Sequence, residues 1–180
     1  MYNACSSVML ISFSINILHA YFQCTENAPF EVVHTAEQAL QNLIGGNLHP
    51  EECFEVLLPY TSGKAVEVAL HQQGHSNPSK LLSTLRSMRY LIEKLSPDSL
   101  RKSLPSLMAL FKTTLSHTSV DLRKATIFIL VELHFVLGDD LILDEFTEGQ
   151  KQLVGIYISR HPKKISTSQE HSNVLQPIAA

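Results

Sequence analysis

The segment 119–137 constrains the fold more than any other part of the chain, because it predicts a helix that is apolar on almost every side. It opens with two cations, Arg123 and Lys124, and carries little charge after them. A helix of this kind must be enclosed by other helices or by lipid. Glu132 and His134 lie inside the run and argue against lipid, because ionisable side chains are costly in a bilayer. We therefore expect other helices of the same domain to surround this one.

Prolines and capping residues divide the rest of the chain into helices. Proline at the first helical position loses no hydrogen-bond donor that the helix needs, so it marks a helix start. Four prolines mark such predicted starts: Pro29, Pro50, Pro78 and Pro97. The residues from Thr118 to Asp121 predict a capping-box start for the segment 119–137. Gly138 predicts a left-handed cap at its end.

Between these starts the apolar residues recur at helical spacing, and no convincing alternating strand pattern is found. Leucines, Met88 and Ile92 form one stripe along the segment 81–95, with Arg86 and Arg89 mostly outside it. Further helices are predicted at 64–71 (followed by a loop at 72–77), 98–115, 140–146 and 147–160.

The spacing of the helix starts predicts the architecture. The interval from Pro78 to Ser119 contains two predicted helices, and the interval from Pro29 to Pro78 also contains about two. Helical hairpins that recur every roughly 40–47 residues are the signature of HEAT-type repeats. Such hairpins must stack, because a single one cannot bury its apolar face. The predicted fold class is all-α, an α-solenoid of HEAT-type hairpins.

The two ends of the chain differ from the middle. The run 8–22 is apolar and uncharged, but it is shorter than the roughly 20 residues that span a bilayer. It also lacks the basic flank of a secretory signal. We interpret 1–24 as an uncertain apolar segment that forms a first helix of the core or an imperfect start to the chain. Residues 161–180 are polar with weak periodicity and predict a disordered tail, which leaves 25–160 as the folded domain.

Charge and cysteine content exclude several classes of protein. The formal net charge of −3 argues against a dedicated nucleic-acid binder, which usually presents a basic face. Cys5, Cys24 and Cys53 are widely spaced and form no CxxC pair. This is a poor disulfide framework and is typical of a reducing compartment such as the cytosol.

The sequence offers no motif for catalysis, cofactors or metal. It contains no G-x-S-x-G, no phosphate-binding G-x-x-x-x-G-K-[ST] and no H-E-x-x-H. His71 and His75 stand four residues apart, as zinc ligands on a helix do, but Gly74 interrupts them and no third ligand is near. We therefore predict no enzyme, no cofactor and no metal site.

Four segments carry a resemblance to a known family. They are EVVHTAEQAL (31–40), LHPEECFEVLLPY (48–60), SVDLRKATIFILVELHFVLGDDL (119–141) and KQLVGIYISR (151–160). Together they resemble the C-terminal, TOG-like HEAT-repeat domain of the CLIP-associating proteins (CLASPs). The resemblance covers about residues 30–160, and its most specific part lies around 120–140. It implies that 25–160 is a TOG-like HEAT-repeat domain.

The resemblance also implies a function. It implies a non-enzymatic interaction module of a microtubule regulator, located in the cytoplasm and cytoskeleton at microtubule plus ends, spindle and kinetochore. The implied partners are CLIP-type plus-end proteins, kinetochore motors and cortical anchors, without nucleic acid or membrane. The chain has no tryptophan, which tubulin-binding TOG domains typically carry on an early loop, so we expect weak binding to tubulin or microtubules from this domain alone. The alternative is a generic HEAT-repeat scaffold unrelated to microtubules.

Three cations are candidate partner-binding residues: Lys112, Arg123 and Lys124. Arg123 and Lys124 lie in the first turn of the predicted helix 119–137, at an edge where the loops of successive hairpins meet. Arg123 faces an acidic partner, or it pairs with Asp121 or with an acid of the neighbouring repeat. Lys124 faces the same partner or is simply solvated. Lys112 joins this edge if it points outward.

Overall fold

The computed structural model describes residues 16–21, 23–25, 28–46, 50–62, 79–138 and 141–162. These residues form helices and the turns between them, and no strand occurs among them. The predicted helix at 64–71, the loop at 72–77 and the pair His71 and His75 lie outside the described residues.

The described part of the chain after residue 28 contains six α-helices. They are α1 (Phe30–Gly46), α2 (Pro50–Leu57), α3 (Ser79–Ile92), α4 (Pro97–Leu115), α5 (Val120–Leu137) and α6 (Glu148–Ser159). Two short 3-10 helices lie between them, Leu58–Thr61 and Leu141–Glu145. Residues 16–21 and 23–25 are also helical.

Most helix starts lie where the prolines predicted them. Pro50 and Pro97 are the first residues of α2 and α4. The Ser96 hydroxyl caps α4 by accepting a hydrogen bond from the Ser99 N–H at 3.3 Å. Pro29 lies one residue before α1, and its carbonyl oxygen accepts hydrogen bonds from the first turn.

Helix α5 ends as predicted but begins differently. Gly138 adopts the left-handed conformation, with φ of 69°, and closes the helix. The predicted capping box at Thr118 is wrong. The N-cap is Ser119, and its side chain makes no capping hydrogen bond in the described structure. The reason is local, since the Ser119 N–H donates to His117 Nδ1 at 2.9 Å and the turn is held by that ring instead.

The helices stack in a staggered order along the chain. Helix α5 packs against α3, α4 and α6, while α3 packs against α1, α2 and α5. Helices α1, α3 and α5 are therefore successive neighbours, and α2 and α4 each contact the first helix of the following hairpin. This is the arrangement of a helical repeat protein, so the predicted all-α repeat fold is confirmed.

The predicted enclosure of α5 is also confirmed. Its buried residues cover all of the helix except the face of Asp121, Lys124 and Phe128, and they are Leu122, Ala125, Thr126, Ile127, Ile129, Leu130, Val131, Glu132, Leu133 and Leu137. Fully burying one such large apolar side chain stabilises the fold by about 1.5–3 kcal/mol. Within the described ranges, no helix is both long enough and apolar enough to cross a bilayer.

Residues near both ends of the described chain join the same core. Leu18 and Tyr21 precede α1 and are 1% and 5% exposed. At the other end, His161 follows α6 and its ring centre lies 4.7 Å from that of Phe135 in α5. His161 is the first residue of the predicted tail, and positions from 163 onward lie outside the described residues.

Candidate functional site

A groove of about 470 Å³ runs across the outer faces of α1, α3 and α5. We call it the three-helix groove. Its lining consists of the apolar and aromatic residues Leu82, Leu85, Tyr90, Ala125 and Phe128 and the polar and charged residues Glu37, Gln41, Arg86, Arg89, Glu93, Asp121 and Lys124. The stacking of the helices creates this groove, because α3 packs between α1 and α5.

Arg86 connects α3 to α1 in the floor of the groove. Its Nη1 donates to Glu37 Oε1 at 3.0 Å. The Arg86 side chain is 39% exposed, whereas that of Glu37 is 15% exposed. The carboxylate therefore lies beneath the guanidinium, and part of the guanidinium faces the groove.

Arg89 makes the corresponding contact from α3 to α5. Its Nη2 and Nε donate to Glu132 Oε1 at 3.1 and 3.4 Å. Glu132 is 1% exposed, so its charge needs a partner, while Arg89 stays 41% exposed. His161 supplies a second contact, since its Nε2 lies 3.4 Å from the same oxygen.

Aromatic rings support the cations of the groove. The Phe128 ring packs edge-on against Tyr157 of α6, with ring centres 5.6 Å apart. Arg89 Cζ and Lys124 Nζ lie over the Phe128 ring, 4.9 and 5.8 Å from its centre. Such cation–π contacts are worth about 0.5–1 kcal/mol at exposed sites. Phe128 therefore helps to hold two cations at the groove surface.

The structure gives the three sequence-predicted cations different surroundings. Lys124 is exposed and lines the groove, and it forms no ion pair with any residue that the structure describes. Lys112 faces outward, but its Nζ pairs with Glu145 Oε2 at 2.7 Å, and both side chains are exposed. Lys124 is thus the member of the three that the structure places in the groove.

Arg123 binds the turn that precedes α5. Its Nη1 donates to the carbonyl oxygens of His117 and Thr118 at 2.7 and 2.8 Å. The predicted pairing with Asp121 or with an acid of the neighbouring repeat is not seen among the described residues. The reason is that the turn after α4 leaves backbone acceptors without helical partners, and a guanidinium satisfies two of them at once.

Sequence reasoning missed Arg86, Arg89 and Phe128 as groove residues. One sequence signal pointed to the arginines, because Glu132 in an otherwise apolar helix requires a cationic partner. The two arginines three residues apart on α3 were the available candidates, but choosing between them needs the three-dimensional register of α3 against α5.

The chemistry of the groove is that of recognition. Guanidinium and ammonium groups stand above an apolar floor, where they can bind carboxylates beside an apolar side chain. No group of three or more histidine, cysteine or acidic side chains within the described ranges is placed to hold a metal ion.

No protein-family model matches the chain. The chain is similar to CLIP-associating protein 1 of Xenopus tropicalis, with 30% identity over 146 residues. It matches CLIP-associating proteins 1-A and 1-B of Xenopus laevis with the same identity over the same length. The match covers 80% of this chain and spans 9% of the length of each of these relatives.

Proposed function

The chain carries a region of the CLIP-associating protein family, and from this relationship we propose that it is a non-enzymatic interaction module of a regulator of microtubule dynamics. The observation that carries the proposal is the 146-residue match, which covers 80% of the chain. The repeat fold supports it, because stacked helical hairpins create extended surfaces for partner proteins.

The proposed partners are proteins. The names of the relatives state an association with CLIP, so a CLIP-type plus-end protein is the first partner to test. Kinetochore and cortical anchors are further proposed partners, and binding to tubulin or microtubules is expected to be weak. The proposed locations are the cytoplasm and cytoskeleton, at microtubule plus ends, spindle and kinetochore.

We propose Lys112, Arg123 and Lys124 as partner-binding residues with unequal roles. Lys124 is exposed, so a partner can reach it directly. Lys112 can contact a partner from within its exposed pair with Glu145. Arg123 contributes indirectly, by holding the turn that precedes Lys124 through its two carbonyl contacts.

The test is a binding experiment with the purified full chain. We expect it to capture a purified CLIP-type plus-end protein, to co-sediment weakly with microtubules and to follow growing microtubule ends when expressed in cells as a fluorescent fusion. An Ile129→Asp variant, which replaces a fully buried residue, serves as an unfolded control. Absence of all three signals from the folded chain would contradict the proposal and favour the generic scaffold.

A further inference from the structure

We propose that the three-helix groove binds an acidic, amphipathic segment of a partner protein. Carboxylates of the segment contact Arg86, Arg89 and Lys124, and an apolar side chain lies on Phe128. This inference rests on the proposed function in one respect, namely that the chain is an interaction module. It adds the place of binding and the chemistry of the partner.

The arginines are held ready for an anion. Their carboxylate partners are less exposed than they are: Glu132 is 1% exposed and lies outside the groove lining, whereas Glu37 is 15% exposed and lines the groove while it accepts from Arg86. Arg86 uses one nitrogen and Arg89 uses two for these contacts, which leaves part of each five-donor guanidinium for a ligand. Because both side chains are already ordered, binding loses less conformational entropy than it would with free arginines.

The floor of the groove provides an apolar contact between the cations. Phe128 is half-buried, and Leu82 and Ala125 line the groove with it. A volume of about 470 Å³ is within the usual range of about 300–1,000 Å³ for sites that enclose small ligands. The groove therefore has room for a few side chains of a peptide segment and is too small to enclose a folded domain.

Two exposed acids give the groove its selectivity. Glu93 and Asp121 line it alongside the cations. A partner carboxylate is attracted where Arg86, Arg89 and Lys124 face outward and is repelled near these two acids. This combination favours a segment whose acidic residues match the cations in position, and it disfavours a uniformly acidic tract.

The experiment begins with selection from a random 12-residue peptide library displayed on phage, using the purified full chain as target. We expect the enriched peptides to combine aspartate or glutamate with an aromatic or large aliphatic residue. Fluorescein-labelled copies of these peptides are then titrated by fluorescence anisotropy against the unmodified chain and its variants. We expect binding to weaken with added salt, as it does for exposed charges.

Lys124→Glu is the main variant, and Lys102→Glu is its matched control. Lys102 is an exposed lysine of α4 that lies outside the lining of the groove. We expect Lys124→Glu to weaken peptide binding about tenfold and Lys102→Glu to change it less than about twofold. Because Lys124 forms no ion pair with described residues and loses only its cation–π contact with Phe128, we expect its replacement to lower the melting temperature by no more than about 4 °C, and a thermal melt verifies this.

Asp121→Asn tests the repulsive part of the proposal. It removes an exposed negative charge from the groove lining, so we expect peptide affinity to rise about two- to threefold. Enrichment of basic or neutral peptides would overturn the inference. Equal losses from Lys124→Glu and Lys102→Glu, or weaker binding by Asp121→Asn, would overturn it too.

Failure of this inference can be told apart from failure of the proposed function. If selected peptides ignore the groove while the full chain still captures a CLIP-type protein, the groove assignment is wrong and the function stands. If acidic peptides bind the groove while the chain neither captures a CLIP-type protein nor follows microtubules, the recognition chemistry stands and the microtubule role is wrong.

Discussion

Helices α1 and α5 both pack against α3, and an arginine of α3 pairs with a glutamate in each of them. Their surroundings are otherwise different. Helix α5 packs against three helices, and Glu132 in it is 1% exposed. Helix α1 buries Leu40 and Ile44 in the core, and its Glu37 is 15% exposed. The same pair of residue types therefore occurs once inside the core and once at its margin.

The two ion pairs are therefore expected to differ in how much the fold is destabilised when one partner is removed. A buried pair is strongly needed once it exists, because removing one partner leaves an uncompensated charge. A partly exposed pair contributes little, because water can replace either partner. We infer that α5 determines the global stability of the fold, whereas α1 can detach locally at lower cost.

The largest effect is expected from a buried charge in α5. Ile129 is 0% exposed, and Ile129→Asp places an unpaired carboxylate in the core at a cost of several kcal/mol. We expect loss of the cooperative thermal transition, measured by circular dichroism.

Ile44→Asp is the counterpart in α1, where Ile44 is 4% exposed. We expect this variant to lose helical signal from α1 while the rest of the chain still melts cooperatively. The comparison fails if Ile129→Asp melts like the unmodified chain, or if Ile44→Asp is equally disruptive.

A smaller contrast is expected between the two arginines of α3. Arg89→Ala removes the guanidinium that pairs with the buried Glu132 carboxylate, and we expect a loss of about 3 kcal/mol in the free energy of unfolding. Arg86→Ala breaks the partly exposed pair with Glu37 and should cost about 0.2–1 kcal/mol. Urea unfolding of both variants measures the contrast, and equal losses would contradict it.

Sequence alone predicted the parts of this comparison that depend on periodicity. The all-round apolar pattern of 119–137 predicted the enclosure of α5, and Gly138 predicted its end. The role of Arg89 could not be predicted, because the pattern shows the face of α3 but not which residue of α5 lies opposite. The contacts of Arg123 within the chain could not be predicted for another reason, because the carbonyl groups that it contacts carry no sequence signature.

The smallest expected effect concerns Tyr21, which lies near the α1–α3 contact. Burial raises the pKa of Tyr21, and the hydroxyls of Ser83 and Ser87 partly oppose that shift. In the unfolded chain the phenol ionises near its ordinary pKa of about 10, while in the folded chain it stays protonated to higher pH. The contribution of the protonated Tyr21 to the free energy of unfolding is therefore fully present below about pH 10 and decreases as the pH rises from there through the folded-state pKa.

Tyr21→Phe should remove the part of the fall in unfolding free energy at high pH that comes from this phenol. Urea unfolding at pH 8 and above pH 10 measures it. Tyr60→Phe is the matched control, because Tyr60 is 43% exposed. If the free energy of unfolding falls equally at high pH in the unmodified chain and in Tyr21→Phe, ionisation of this phenol does not contribute to the pH dependence of stability.

The contact between Glu132 and His161 has a practical consequence for anyone who shortens this chain. His161 lies two residues beyond the last residue of α6, where a boundary drawn from helix ends alone would remove it. Its loss would take away an imidazole nitrogen that lies close to a carboxylate that water hardly reaches, together with the ring that packs against Phe135. A truncation for crystallisation or NMR should therefore be placed after Pro162.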